Sequence, residues 1–410
     1  MAIVNYFILI TKNILDFLSS ISFFFIIISL VFIFHALNLI IRDKKHINAL
    51  KEFEDPKEIS IKDLQYLPIV NIIIPAWKEG KEFQDCLNSI VKLKYPELKI
   101  IVNAGGSEET INIAKSFKKY SNFTILHQKG GKSRAAIGKI KALNDCLDYV
   151  SEGILYLIDA DCYITDDLLL RMIYPIINQD ENVVIGAGLR PLKSQENIDL
   201  VKYLQISINQ LFKEKFTRYN KKMVSGANTT IKFEVMEQIG RFNENRDIAE
   251  DVSRGLDILS KGFNIYNLID YRSCIYTDFP KTFKKLFEQR KRQIQNALIN
   301  SFRNKRIKFL LKFLALLLGS FYVLVFPLFL LFHYGLFFIG VYILLFMYLK
   351  KIRYYIFFRR TVDKKYYAKF RMRFFIKILF YIYIEMVSTI LIPFDLILYK
   401  KKLKKEKFNP

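Results

Sequence analysis

Residues 154–161 read ILYLIDAD, and this stretch determines how the rest of the chain is interpreted. A five-residue apolar run has the length of a buried strand, and two aspartates, Asp159 and Asp161, follow it directly. Similar runs alternate with helical stretches elsewhere in this region, at 70–74, 99–102, 123–126 and 182–186. The alternation predicts an α/β domain with a mixed, mostly parallel sheet that binds ligands at the carboxyl ends of its strands.

An apolar segment precedes this region. Residues 17–41 are long enough to cross a bilayer as a helix, and Arg42, Lys44 and Lys45 follow at once. A secretory signal would have a shorter apolar core and a cleavage site of small residues. The segment therefore predicts an uncleaved anchor whose basic end, and the domain after it, lie in the cytoplasm.

Hydrophobic segments return near the C-terminus. The candidates for crossing a membrane are residues 309–332, 335–349 and 374–399, with a basic loop from Lys350 to Arg373 before the last. Three full crossings would place the Lys-rich tail outside, whereas basic segments favour the cytoplasmic side. The number of crossings is therefore left open.

The distribution of charge narrows the choice of partners. The 410-residue chain has a formal net charge of +24, a value that brings nucleic-acid binding into consideration. However, residues 301–410 contain 22 Lys/Arg and four acids, so a charge of +18 flanks apolar runs. Basic residues in that setting predict contact with membrane lipid and no nucleic-acid partner.

Cysteine spacing excludes one class of metal site. The four cysteines form no Cys-x-x-Cys pair, so a zinc ribbon is not expected: Cys86, Cys146, Cys162 and Cys274. In a domain facing the cytosol, we expect them to be reduced and mostly part of the core.

The acidic pairs carry the strongest chemical signals. Asp159 and Asp161 are hard oxygen ligands after a buried strand, an arrangement suited to Mg²⁺ or Mn²⁺ beside a diphosphate. Without that context, Asp-x-Asp would be an ordinary solvated turn. Glu250 and Asp251 stand at the start of a predicted helix. They would either stabilise its N-terminus through their negative charge or take a proton from an acceptor hydroxyl.

Three further segments are candidates for binding phosphate or a base. Residues 289–293 (QRKRQ) would brace a diphosphate or form a basic helix on the membrane surface. Residues 129–133 (KGGKS) resemble a phosphate loop, but Leu126 stands where a Walker A motif requires glycine. Pro75 is expected to end the first strand, and Trp77 after it would stack on a base or fill the core.

Taken in order, these residues resemble a family 2 glycosyltransferase of the membrane-integrated type, which includes hyaluronan, cellulose and poly-N-acetylglucosamine synthases. The resemblance covers roughly residues 68–300. The matching segments are Ile74–Glu79, Gly130–Lys132, Asp159–Asp161, Ser225–Asn228, Ile239–Phe242, Ala249–Asp251 and Gln289–Gln293. It implies a GT-A fold and inverting sugar transfer in one displacement.

The resemblance also implies roles for individual residues. Asp251 would be the general base, and Asp159 and Asp161 would contact the donor and its metal. The remaining donor-binding candidates are Pro75, Ala76, Glu79, Lys132, Gln289 and Arg292. The acceptor-binding candidates are Ser225, Gly226, Glu250 and Arg290.

Two departures from the family pattern bear on substrate choice. The segment Asn103–Ser107 replaces an acidic pair after the second strand, so a carboxylate for the base or ribose is not found there. Gln293 replaces a tryptophan that belongs to the acceptor site of processive synthases. The departures leave the nucleotide, expected to be UDP, and the length of the product open.

The implied organisation is a plasma-membrane protein that crosses the bilayer several times and has a cytoplasmic catalytic domain. Its expected parts are an anchor (1–45), a linker (46–67), the GT-A domain (68–280), an amphipathic interface helix (281–307), a transmembrane region (308–400) and a basic tail (401–410). The expected activity is sugar transfer from a nucleotide-sugar donor to a glycan or lipid-linked acceptor. The alternatives are a single transfer to polyisoprenyl phosphate or a lipid-linked glycan and, as a non-enzyme, a membrane transporter or scaffold.

Overall fold

The computed structural model describes residues 9–12, 21–52, 58–128, 135–214, 219, 224–242, 250–303, 307–331, 334–362 and 370–407. Helix α1 (Ile21–Glu52) precedes the sheet region. The first part of that region contains β1 (Val70–Trp77), α2 (Lys81–Val91), β2 (Leu98–Gly105), α3 (Glu108–Ser116), β3 (Phe123–His127), α4 (Ala135–Leu147), β4 (Ile154–Leu157) and β5 (Cys162–Tyr163).

The second part of the sheet region contains α5 (Asp166–Asn178), β6 (Val183–Ile185), β7 (Gly188–Pro191), α6 (Asp199–Glu214), β8 (Thr229–Lys232), α7 (Phe233–Ile239), α8 (Glu250–Ser260), β9 (Ile265–Asn267) and β10 (Cys274–Thr277). Four long helices follow: α9 (Phe283–Arg303), α10 (Ile307–Val325), α11 (Tyr334–Thr361) and α12 (Met372–Lys407).

The main sheet has the strand order β3-β2-β1-β4-β8-β6-β9. All neighbouring strands in it are parallel except at β8, which runs antiparallel to both β4 and β6. A small second sheet has the order β5-β10-β7. The predicted α/β class with a mixed, mostly parallel sheet is therefore confirmed.

Helices cover both faces of the main sheet, which explains why its strands are almost continuously apolar. On one face, α2, α3 and α5 pack on alternate strand residues such as Ile72 and Ile74. On the other face, α4, α7 and α8 pack on the intervening residues, such as Ile73. The polar residues that follow the strands are therefore confined to the sheet edges, where parallel strands end together.

A third apolar cluster connects the sheet domain with the C-terminal helices. It contains Leu204 of α6, Leu286 of α9, Phe358 of α11 and Ile382 of α12, all of which are almost inaccessible to solvent. Helix α1 contacts the same assembly, because the ring of Phe32 lies 4.9 Å from that of Phe346 in α11. Asp43 also forms a two-point ion pair with Arg353 of α11.

Helix α12 has two different faces. Phe374, Ile378 and Ile382 are buried against the rest of the protein, whereas Met372 and Ile376 are 81% and 71% exposed. Among the described residues, one stretch, Met372–Leu391, is long and apolar enough to cross a membrane, and the apolar stretch Phe313–Leu328 is shorter. α12 therefore has an apolar face that the described part of the protein leaves exposed.

Three boundaries differ from the sequence-based expectations. Pro75 does not end β1, which continues to Trp77. The nitrogen of Pro75 points to the side of β1 on which β4 lies. β4 has already ended there, because its last residue, Leu157, pairs with Ile73. The missing N–H of Pro75 therefore costs no hydrogen bond of the sheet. Helix α1 continues to Glu52, inside the expected linker, and α11 continues past Lys350 to Thr361.

Candidate functional site

Asp159 and Asp161 lie at the carboxyl end of β4, in the middle of the sheet. Asp161 Oδ2 accepts a hydrogen bond from Thr277 Oγ1 at 3.3 Å, and Thr277 ends β10 of the small sheet. The carboxylate pair is therefore held where the two sheets meet. Asp278, the residue after Thr277, adds a third negative charge that acts on Asp161.

Lys139 of α4 is the cation that the structure places against this pair. Its Nζ lies 2.8 Å from Asp159 Oδ1, and the two side chains are 26% and 37% exposed. Sequence reasoning did not select Lys139. The available signal was a second Gly-Lys pair, Gly138-Lys139, just after the KGGKS segment.

The other carboxylate of the pair, Asp161, lies in a negatively charged environment. Burial and the charge of Asp159 raise the pKa of Asp161 to about 6, and Asp278 acts in the same direction. A divalent cation would relieve that repulsion, and its preferred ligands are carboxylate oxygens, so the residues present fit Mg²⁺ or Mn²⁺. No group of three or more His, Cys, Asp or Glu suited to a metal occurs among the described residues, so diphosphate and water oxygens would complete the coordination.

The segment after β1 lies at the same edge of the sheet. Burial and the charges of Asp161, Asp159 and Glu79 raise the pKa of the Cys86 thiol. Glu79 therefore acts on the same thiol as the aspartate pair. The backbone oxygen of Glu79 accepts a hydrogen bond from Thr110 Oγ1 at 2.7 Å. Pro75 and Ala76 belong to β1 itself, with Ala76 fully buried.

The ring of Trp77 lies on the end of β2. A Cβ atom at Gly106 would lie 2.7 Å from this ring, and Gly106 also has φ +83°, so two features require glycine there. Trp77 is half-buried. One side of the indole is covered by the backbone at Gly106, and part of the ring remains accessible to a ligand.

The segment that lacks the expected acidic pair has a structural role. Asn103 is buried within β2, and its Nδ2 donates to Ala142 O at 3.2 Å and Asp145 Oδ2 at 3.3 Å, both on α4. Ser107 caps α3 by accepting a hydrogen bond from Thr110 N. The first turn of that helix contains Glu109, whose Oε1 would lie 3.1 Å from a Cβ on Gly80. A carboxylate is therefore present beside the β1–α2 connection after all.

The Ser225–Gly226 segment is placed at this edge by β8. Leu157, the last residue of β4, pairs with Thr229, the first residue of β8. Thr229 Oγ1 donates to Ser225 O at 2.6 Å and closes the turn. Asn228 is buried there, accepting a hydrogen bond from Tyr156 and donating one to Ser273 O. Ser225 and Gly226 consequently lie near the end of the strand that carries the aspartates.

Asp251 is joined to the same segment, because Val224 N donates a hydrogen bond to Asp251 O at 3.2 Å. Helix α8, which carries Asp251, is held further along by Arg254, whose Nη1 donates to Gly240 O at 2.8 Å. Burial lowers the pKa of Arg254 to about 10. Its guanidinium lies 4.0 Å from the Phe242 ring centroid.

Phe242 completes the connection between the two helices of the site. Its backbone exchanges two hydrogen bonds of 2.9 Å with the side chain of Asn144. Asn144 lies on α4, five residues after Lys139. Helices α4 and α8, with their respective Lys139 and Asp251, are thus tied to each other through one short segment.

The remaining predicted residues lie on or near other elements. Gln289 and Arg290 are half-buried on α9, and Arg290 Nη2 lies 3.3 Å from Glu385 Oε1 of α12. The acceptor-binding role of Arg290 stays a prediction, as do the other assigned roles. Lys132 lies outside the described residues, and so do the side chains of Glu250 and Arg292.

Comparison with known proteins gives a consistent result. Residues 68–296 match the sequence model of a family described as glycosyltransferase like family 2. Glycosyltransferase AglE of Haloferax volcanii is 25% identical over 246 residues, which cover 59% of this chain and 78% of AglE. Poly-β-1,6-N-acetyl-D-glucosamine synthase of Staphylococcus epidermidis is 25% identical over 241 residues, or 56% of this chain and 54% of the synthase.

The chain therefore spans about half the length of that synthase. Among solved structures, a mannosyltransferase from Pyrobaculum calidifontis in complex with GDP-Man and Mn²⁺ superposes with a TM-score of 0.48 at 16% identity, covering 67% of this chain and 75% of the other. The family model covers more than half of the chain, including both acidic pairs. This protein belongs to the glycosyltransferase like family 2 and has a GT-A-like α/β fold.

Proposed function

We propose that the protein transfers a sugar from a nucleotide-sugar donor to a glycan or lipid-linked acceptor, with inversion, at the cytoplasmic face of the plasma membrane. One observation carries the proposal. Lys139, Asp159 and Asp161 meet at the end of β4, beside a segment that also contacts the start of α8 at Asp251. A cation, an acidic pair and the start of the helix that carries the candidate base therefore lie along one edge of the sheet.

The donor side is formed by β1, β4 and α4. Asp159 and Asp161 would hold Mg²⁺ or Mn²⁺, which when bound offsets negative charge on the leaving diphosphate. Lys139 adds a fixed positive charge beside Asp159. Pro75, Ala76 and Glu79 form the nucleotide side, Lys132 is a further donor-binding candidate, and Gln289 and Arg292 bind the diphosphate of a UDP-sugar.

The acceptor side is formed by the Ser225–Gly226 segment, with Glu250 and Arg290 as further contacts. Asp251 removes the proton from the acceptor hydroxyl as its oxygen attacks the anomeric carbon. The bond from that carbon to the diphosphate oxygen breaks in the same displacement, and this inverts the configuration. The proton passes to Asp251, and the leaving group departs as the nucleoside diphosphate.

The membrane assignment is supported by the outer face of α12, where Met372 and Ile376 are exposed. We assign α1 and the helices from α10 onward to a multi-pass membrane region, with residues 68–280 as the catalytic domain and 281–307 as an interface helix. Contact between α1 and α11 supports a single assembly of the N- and C-terminal regions.

Transfer of a single sugar to polyisoprenyl phosphate is a second candidate, favoured by one contact. Gln293 stands where the processive synthases have tryptophan, and its Oε1 accepts a hydrogen bond from Arg290 Nη1 at 3.2 Å. A polar side chain there offers no flat surface on which a growing polymer could stack. Labelled nucleotide sugars distinguish the candidates, because single transfer gives an organic-extractable lipid and processive synthesis gives a water-soluble polymer.

Replacement of the base tests the reaction itself. We expect Asp251→Asn to lower kcat by about 10²–10⁴-fold while donor binding persists, since a positioned general base contributes that much. Glu237→Gln, an exposed acid on α7, is the control and should retain wild-type activity. Unchanged transfer by Asp251→Asn would refute the assigned base. Full transfer in EDTA would refute the metal role of Asp159 and Asp161.

A further inference from the structure

A half-buried polar junction lies where α9 meets the C-terminal helices. Glu385 of α12 forms one ion pair with each of its carboxylate oxygens. Arg290 Nη2 of α9 lies 3.3 Å from Oε1, and Lys351 Nζ of α11 lies 3.2 Å from Oε2. We call this set the Glu385 junction. It joins three helices that are far apart in the sequence.

The junction also reaches the sheet domain. Lys351 Nζ donates to Ser207 Oγ of α6 at 3.2 Å and lies 4.5 Å from the ring centroid of Tyr203 on the same helix. Helix α6 is part of the region matched by the family model. The ammonium of Lys351 therefore connects the carboxylate of Glu385 to the catalytic domain.

The surroundings of the junction are apolar. Leu286 of α9, one turn before Arg290, is fully buried, and Ile382 and Met386 on either side of Glu385 are buried as well. Phe283 of α9 packs against Phe380 of α12, with ring centroids 5.2 Å apart. In such surroundings a lost partner would leave a charge with less compensation, so the two ion pairs favour one arrangement of the three helices.

The position of Glu385 supports a role beyond packing. It lies within Met372–Leu391, the described stretch long and apolar enough to cross a membrane. Ionisable residues in such segments are rare, face other protein groups and commonly serve a function. Asp199, by contrast, joins α6 to α12 through Lys377 at 2.6 Å, and its described ion pairs are all with residues of α6 and α12.

The consequence concerns the rotation of α9. Arg290 directly follows Gln289 and precedes Arg292 by two residues, and successive helix residues are about 100° apart around the axis. A contact that fixes Arg290 therefore fixes the direction of its neighbour Gln289. We propose that Glu385 is a positioning residue: by holding Arg290 and Lys351, it sets the rotation of α9 so that Gln289 reaches the donor diphosphate.

This inference rests on the proposed function, and donor kinetics test it. We expect Glu385→Gln, in the full-length protein, to raise the KM for the nucleotide sugar about tenfold or more, since a misplacement of about 1 Å can cost as much as 10²-fold. Glu385→Asp keeps the charge and should recover most of the affinity. Asp199→Asn should leave the KM unchanged.

A second measurement is independent of activity. All four native cysteines are buried, so the background reaction with a thiol reagent is slow. Leu286→Cys places a thiol on the buried side of α9, and we expect Glu385→Gln to accelerate its labelling while Asp199→Asn does not. If Glu385→Gln fails to fold, Glu385→Gln/Lys351→Met removes the unpaired ammonium and should give the same two effects.

The outcomes separate the two proposals. A wild-type protein that transfers no sugar refutes the proposed function, whereas the labelling rates still report on α9. A folded Glu385→Gln protein with wild-type donor KM and wild-type labelling refutes the positioning role alone. A raised KM with unchanged labelling also refutes it, because Glu385 would then act on the donor without moving α9.

Discussion

Asp159 and Asp161 are two residues apart, yet their surroundings give them different properties. Asp159 is partly exposed and paired with Lys139. Asp161 is enclosed beside Thr277 and Asp278, which leaves its charge without a matching cation among the contacts described above. Asp159 is therefore paired within the protein, whereas Asp161 is the carboxylate whose charge a bound metal ion would offset in the proposed reaction.

Lys139 provides the most direct test at this scale. We expect Lys139→Met to lower kcat on the order of 10²-fold, because it removes a preorganised positive charge near the leaving diphosphate. Lys139→Arg should retain part of the rate. Lys141→Met, two residues along α4 and exposed, should have no effect. Steady-state rates at saturating donor would decide, and equal rates for both methionine variants would contradict the assignment.

The pH dependence of metal binding follows from Asp161. Its pKa is about 6 in the folded protein against an ordinary 3.8, so the folded state holds the proton more tightly than the unfolded state. Metal-free protein should therefore gain stability as the pH falls from about 6 towards 4.

Mg²⁺ or Mn²⁺ competes with that proton. The rise in Tm caused by metal should be largest above pH 6 and should fade towards pH 4. Thermal unfolding with and without metal measures it, and Asp161→Asn should show almost no rise at any pH. A metal effect that grows on acidification would contradict this account.

Sequence reasoning found the carboxylates but not their partners. Asp159 and Asp161 are visible because they directly follow an apolar strand. Lys139 lies 20 residues from Asp159 and Glu385 lies 95 residues from Arg290, and such pairs become apparent only when helices pack together. Asn103 stands where the resemblance would place a carboxylate for the nucleotide, and only the fold shows that its side chain joins β2 to α4.

At the scale of elements, α12 has one face that packs against protein and an opposite face that is exposed. Its buried side packs on α6 and α9, whereas its exposed side presents Met372 and Ile376. Period and hydrophobicity predict such a helix. They do not reveal which side faces protein, because both sides of this helix are apolar.

Tryptophan fluorescence tests which side of α12 contacts lipid. The chain has one tryptophan, so Trp77→Phe gives a silent background. We expect Ile376→Trp to be strongly quenched by lipids brominated on their acyl chains, because that position is 71% exposed. Phe374→Trp, at a fully buried position, should be quenched little. Weak quenching of Ile376→Trp, no greater than that of Phe374→Trp, would place the exposed face away from lipid.

The strands show a similar limit to prediction. The runs at 70–74, 99–102, 123–126, 154–158 and 182–186 all form strands, because each is mostly apolar and, apart from the half-buried edge strand β3, mostly buried. β8 was not predicted, since Thr229, Thr230 and Lys232 carry polar groups. Those groups have partners that only the fold supplies, such as Met172 O for Thr230 Oγ1 at 2.9 Å.

At the scale of the whole molecule, β8 divides the main sheet into two blocks. β3, β2, β1 and β4 come from residues 70–157, whereas β6 and β9 come from residues 183–267. β8 lies between the blocks and pairs with both. The backbone pairing of Thr229–Lys232 therefore joins β4 to the later block.

This arrangement sets an order of events during synthesis on the ribosome. Until Thr229–Lys232 has emerged, β4 and β6 each have an unpaired apolar edge, and such edges recruit other chains. We expect nascent chains stalled before residue 229 to be cleaved readily by protease within 154–191 and to need chaperone protection. Chains stalled well beyond residue 267 should resist the same protease. Pairing of the central antiparallel strand β8 would then end the stage of synthesis at which the nascent chain is sensitive to proteolysis and aggregation.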